Sequence, residues 1–92
     1  MAVQVRALVD GYDEFIGIDH HKKRCQMMIK DREGRVVKRG SVPTDRDALA
    51  AFLGERDGVK RLATFEAGPR YRPMHRWLNE LVDCSLMANP GR

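Results

Sequence analysis

Two short apolar runs in this chain each end on a carboxylate: Phe15-Ile16-Gly17-Ile18 leads into Asp19, and Leu62-Ala63-Thr64-Phe65 leads into Glu66. Runs so short, and so rich in β-branched and aromatic residues, read as buried strands. As neighbouring parallel strands they would bring both acids to the carboxyl edge of one sheet, where open α/β sheets bind their ligands. Two acids so placed can hold a hard divalent cation. Mg²⁺ is commonly held by one or two carboxylates together with phosphate oxygens, so the pair is a candidate site for phosphodiester chemistry.

A chain of 92 residues supports one small domain that buries roughly 60–65% of its unfolded surface. With 42% hydrophobic and 33% charged residues, and no apolar stretch near the ~18 residues of a membrane span, an ordinary soluble protein is expected. Residues 1–13 read as an amino-terminal extension and make a poor signal peptide, because Gln4 and Arg6 interrupt the apolar run. Cys25 and Cys84 form no C-x-x-C pair, so neither a disulfide framework nor a zinc knuckle is indicated, and a reducing cytoplasm is the expected compartment. The net charge of +4 favours a polyanionic partner only weakly. Its distribution says more: Lys22-Lys23-Arg24 follows Asp19, and Arg70, Arg72 and Arg76 follow Glu66. A charge run is more often a solvated face than a binding site, and the shared position beside the acids is what raises these two above that reading.

The first strand runs from Glu14 to Asp19, and Cys25 to Lys30, with Cys25, Met27 and Ile29 at period two, makes a second. Asp31-Arg32-Glu33-Gly34 supplies a turn, and Arg35 to Val42 returns as a third strand. Thr44 is the expected helix N-cap, with Asp45 and Asp47 in the first turn, where the helix dipole favours negative charge. Ala48, Leu49, Phe52 and Leu53 share one side of this helix, which Gly54 or Gly58 can end. Val59 to Glu66 is the next strand and Ala67-Gly68-Pro69 a loop; a second helix begins near Pro73, its buried face marked by Met74, Trp77, Leu78 and Leu81. Asp83 to Ala88 is a last strand, stopped by Asn89-Pro90-Gly91.

The expected order is therefore β-β-β-α-β-α-β, an antiparallel meander followed by two right-handed crossovers that add parallel strands. This is an α/β chain whose order fits a ribonuclease-H-like mixed sheet, with the first strand between the second and the fourth. That adjacency would bring Asp19 and Glu66 together.

Three segments resemble one family in order and spacing: Gly17-Ile18-Asp19-His20-His21-Lys22; Phe65-Glu66-Ala67-Gly68-Pro69 with Tyr71; and Met87-Ala88-Asn89-Pro90. They are similar to the amino-terminal, RuvC-like part of the DEDD transposases of bacterial insertion sequences, over about residues 14 to 90. The resemblance implies a partial RuvC-like domain over 14–92, truncated before its last helix, that acts in DNA transposition. In the family three Asp and one Glu gather Mg²⁺ or Mn²⁺ for chemistry on DNA. By the resemblance Asp19 and Glu66 are two of these acids, and the other two lie beyond the Asn-Pro segment. Lys22, Lys23, Arg70 and Arg72 are candidate phosphate contacts. The family also has a carboxyl-terminal domain with a nucleophilic serine, whose role neither Ser41 nor Ser85 matches, and some members bind a guide RNA. Two carboxylates without the rest of a metal shell would bind Mg²⁺ weakly, so the chain alone is expected to be inactive on DNA. An uncovered sheet face and self-association are also expected.

Other readings compete. Asp19-His20-His21 spells the signature of the DHH phosphoesterases, which also require an Asp-x-Asp element well upstream; only Asp10, Asp13 and Glu14 precede. A sugar-kinase or actin-like phosphate loop needs small residues after the Asp, and His20 to Arg24 are bulky. Zinc held by His20, His21, His75 and Cys25 is disfavoured by the absence of an i, i+4 His pair. A non-catalytic module that binds nucleic acid or an intact transposase through its basic loops is the alternative from a different class.

Overall fold

The structure, a computed structural model, describes residues 11–55, 57–66 and 71–88, with the side chains of Glu66, Tyr71 and Ala88 outside the description. The elements are β1 (Glu14–His20), β2 (Arg24–Asp31), β3 (Val36–Pro43), α1 (Arg46–Leu53), β4 (Arg61–Glu66), α2 (Tyr71–Leu81) and β5 (Cys84–Ala88). They form an α/β structure with one five-stranded mixed sheet, ordered β3-β2-β1-β4-β5. β1 and β2 pair antiparallel, as do β2 and β3, whereas β1–β4 and β4–β5 are parallel. Strand limits differ from the sequence reading by one or two residues, which is ordinary at element ends.

The β2–β3 turn is built by Asp31, whose Oδ1 accepts from the N–H groups of Glu33 and Arg35, both at 2.9 Å. Gly34 sits at φ 85°, the left-handed region that side-chain-bearing residues avoid. A register shift between Ile29 and Lys30 bulges the pair near this turn.

The helix cap corrects the sequence reading. Asp45, not Thr44, caps α1: its Oδ1 accepts from Ala48 N at 2.8 Å, and Gly54 ends the helix at φ 65°. Thr44 and Asp45 are both competent caps. The turn after Pro43 decides between them, because Asp45 N bonds to the Pro43 carbonyl and Thr44 is drawn away to the β1–β2 loop.

Both helices pack on one face of the sheet. Ile16 and Ile18 of β1, Cys25, Met27 and Ile29 of β2, and Ala63 and Phe65 of β4 meet Leu49 and Leu53 of α1 and Met74 and Leu78 of α2. Each large apolar side chain so buried contributes about 1.5–3 kcal/mol relative to exposure. Trp77 and Leu81 complete the α2 stripe as half-buried neighbours of this core, as its spacing leads one to expect. Gly40 has a packing reason, since a Cβ there would stand 3.3 Å from the Phe52 ring. Phe52 in turn carries Lys38 Nζ at 4.4 Å above its ring and accepts a 2.8 Å hydrogen bond from it at its carbonyl.

Candidate metal and nucleic-acid site

Parallel pairing of β1 with β4 aligns residues in a fixed register from Glu14 opposite Arg61 to Ile18 opposite Phe65. Asp19 and Glu66 are the next residue on each strand, so both backbones reach the carboxyl edge of the sheet side by side. Glu66 is in register with Ala88 of β5 on its other side. The Asp19 side chain is 60% exposed, and its Oδ2 lies 3.3 Å from His21 Nε2. Among the described residues no group of three His, Cys, Asp or Glu side chains forms a ready metal cage. Asp19 therefore offers an open oxygen donor at the sheet edge.

The loop after Asp19 is held from β3. Thr44 donates its hydroxyl to the His21 carbonyl at 2.9 Å and its N–H to the Lys23 carbonyl at 2.9 Å. The same hydroxyl lies 3.3 Å from the buried Cys25 thiol. His21 N also bonds to the Arg24 carbonyl, which closes the loop into a tight link. Lys22 and Lys23, both exposed, are thus displayed on a fastened backbone. Arg24 is anchored rather than loose, since its Nε donates to Ser41 Oγ and its Nη2 to the Ser41 carbonyl, both at 2.9 Å.

Of the basic residues after Glu66, Arg72 is exposed in the first turn of α2, and Arg70 lies outside the described residues, as does the expected 67–69 loop. His75 of α2 stacks against Phe65 with ring centroids 5.9 Å apart, so the start of α2 lies over the end of β4. His20, at the end of β1, stands opposite Cys25 in the β1–β2 register, and Cys25 is fully buried with its thiol 3.3 Å from the Thr44 hydroxyl.

On the face away from the helices, Gly17, Asp19, Gln26, Met28, Arg39 and Thr64 line an open depression of about 910 Å³ that begins at Asp19. The alternation of β1 and β2 accounts for it: their buried residues face the helices, and Gly17, Asp19, Gln26 and Met28 face away.

The amino edge of the same strands is built in the opposite manner. Arg61 and Glu14 are both 4% exposed and paired at 3.2 Å. Arg61 also donates through Nη1 to the Gly54 carbonyl at 2.9 Å and through Nη2 to that of Leu53, so it satisfies the carbonyl end of α1. Its backbone N–H donates to Asp83 Oδ2 at 2.7 Å. This buried pair escaped the reading of the sequence, although a signal was present. Glu14 stands five residues before Asp19 and Arg61 five before Glu66, so any register that aligns the two acids aligns the ion pair.

Among known proteins, no family model matches the chain, and no curated protein matches it.

Proposed function

We propose that the chain is the amino-terminal part of a ribonuclease-H-like, RuvC-like domain of the DEDD transposase kind, with Asp19 and Glu66 holding Mg²⁺ or Mn²⁺ for phosphodiester chemistry on DNA. The observation that carries this reading is the sheet order β3-β2-β1-β4-β5 with β1 parallel to β4, in which Asp19 and Glu66 each directly follow the paired residues Ile18 and Phe65. Carboxylates are hard oxygen donors and suit either ion. An ion bound there would polarise a phosphoryl oxygen and make bound water a better nucleophile.

The chain's own residues do the rest. Asp19 presents its carboxylate to solvent from the end of a central strand, beside the exposed His21 imidazole. Lys22 and Lys23, on the loop fastened by Thr44, offset phosphate charge as a strand approaches, and Arg72 does so from the first turn of α2; Arg70, outside the described residues, is the fourth candidate contact. Since Mg²⁺ demands near-octahedral oxygen ligation, two carboxylates alone bind it weakly, and the 92-residue chain alone is inactive in strand cleavage.

DNA binding and cleavage with Mg²⁺ or Mn²⁺ test the reading. The expected result is metal-strengthened DNA binding that Asp19→Asn and Glu66→Gln each weaken, without cleavage. Metal-strengthened binding equal in both variants would refute the assignment of the acids. Cleavage abolished by Asp19→Asn would refute the inactivity and keep the acids.

A further inference from the structure

We propose that His21 is a further ligand of the ion held at Asp19, and that its nitrogen tunes the site to a divalent transition-metal ion, with Mn²⁺ preferred over Mg²⁺. The proposal rests on the reading of Asp19 and Glu66 as a metal site and adds to it one donor and a preference among ions.

Spacing is the first observation. Asp19 and His21 are two residues apart where β1 runs out, and extended chain puts residues i and i+2 on one side. The structure brings Asp19 Oδ2 and His21 Nε2 to 3.3 Å. An ordinary N–H···O hydrogen bond is shorter, about 2.7–3.2 Å. Two donors each ~2.1 Å from one ion stand about 3.0 Å apart at an octahedral angle and about 3.4 Å at a tetrahedral one. The observed separation falls inside that interval, so one ion can take both donors with little movement of either.

The second observation is the fastening of His21. Its carbonyl accepts from the Thr44 hydroxyl at 2.9 Å, and its N–H donates to the Arg24 carbonyl at 3.1 Å. The backbone is held on both sides of its Cα, which leaves only the side-chain torsions to settle when an ion binds. The imidazole itself is 65% exposed, and an exposed ion pair contributes little to stability. Stability therefore does not account for the pairing, whereas an ion shared by the two side chains does.

Nitrogen decides which ion. Mg²⁺ takes oxygen ligands and gives up water reluctantly, whereas imidazole suits transition metals. The neutral imidazole adds a donor to the two carboxylates without a third negative charge. Lys22 and Lys23 on the same loop oppose any cation by their charge, and they oppose Mn²⁺ and Mg²⁺ equally. The difference between the two ions comes from coordination, and it favours Mn²⁺.

The test is pulsed electron paramagnetic resonance of Mn²⁺ bound to the 92-residue chain, with Mn²⁺ and Mg²⁺ affinities measured beside it. The chain has three histidines, so His20→Gln and His75→Gln serve as controls for His21→Gln. The expected result is a nitrogen hyperfine coupling from one imidazole, which His21→Gln removes and both controls keep. His21→Gln should weaken Mn²⁺ binding roughly tenfold and Mg²⁺ binding by less than about twofold. His21→Asp, which supplies an oxygen donor instead, should strengthen Mg²⁺ binding and abolish the coupling. Wild-type protein that binds Mn²⁺ without nitrogen coupling, coupling that survives in folded His21→Gln, or equal loss of Mn²⁺ and Mg²⁺ in that variant would each overturn the proposal. If Asp19→Asn and Glu66→Gln still abolish Mn²⁺ binding in that case, the two-acid site stands without its nitrogen. Coupling that His21→Gln and Asp19→Asn remove, at Mn²⁺ affinity unchanged in Glu66→Gln, would keep His21 as a ligand and sink the pairing of the acids.

Discussion

β1 carries one carboxylate near each end, and the two are treated in opposite ways. Glu14 is buried and bonded to Arg61, whose remaining donors close the carbonyl end of α1. Asp19, five residues on, is 60% exposed and meets only an exposed imidazole at 3.3 Å among its described ion-pair partners. Opposite Glu14 the register puts a cation, and in the position after the last pair it puts a second acid beside Asp19. A buried charge without its partner is expensive, so the amino edge is committed to stability. An exposed acid beside another acid does little for stability and is free to take a cation. The difference separates a carboxylate committed to the fold from one left open at the sheet edge.

The largest effect should come from breaking the built end. Arg61→Ala strands the Glu14 carboxylate and two helix carbonyls, and a loss of about 3–5 kcal/mol is expected in urea denaturation. For a domain of this size such a loss leaves much of the population unfolded. Replacing both partners, as Glu14→Leu with Arg61→Met, should recover a good part of it, since the uncompensated charge is then gone.

Thr44→Val sharpens the contrast from the other side. It removes the hydroxyl bond to the His21 carbonyl while nearly keeping volume, for an expected cost of about 1 kcal/mol. The accompanying sign is faster amide exchange in residues 21–24, with the amino edge unchanged. Slower effects spread evenly over the sheet would mean that Thr44 supports the core and not the loop.

Asp19→Asn should change stability by no more than about 0.5 kcal/mol, because an exposed ion pair contributes little. A loss comparable with that of Arg61→Ala would erase the distinction between the two ends of β1.

The smallest effect is expected at Tyr12, beside the amino edge. Its phenol is held above its ordinary value, first by the hydrogen bond to Cys84 and then by desolvation. A phenol raised on folding favours the fold while protonated, so its contribution is complete at neutral pH and is lost as pH rises through the folded value. Cys84→Ala should bring the Tyr12 titration back toward the ordinary value, read by phenolate absorbance in a Tyr71→Phe background.

Much of this arrangement was legible in the chain. The hairpin followed from the period-two run Cys25-Met27-Ile29 and the Gly34 turn, and the two helices from stripes that the core does use. The N-cap was not legible, because two adjacent residues could each cap α1 and only the path from Pro43 selected Asp45. The Arg61–Glu14 pair was missed because a charged residue at the head of an apolar run is ordinarily exposed; only the equal spacing to the two acids betrayed it. That Gly17, Met28 and Arg39 line one open depression depends on which face the helices cover, and alternation alone does not name that face. Arg70 and the Asn89-Pro90 segment lie outside the described residues.

The most direct measurement is a Mn²⁺ titration followed by amide NMR on the 92-residue chain, with Asp19→Asn and Glu66→Gln as controls. Saturable broadening centred on the Ile18–His20 and Phe65–Glu66 backbones, lost in either variant while the spectra stay dispersed, is the expected result. Broadening that is absent from both strand ends, or that survives both substitutions, would contradict the convergence of the two acids on one metal site.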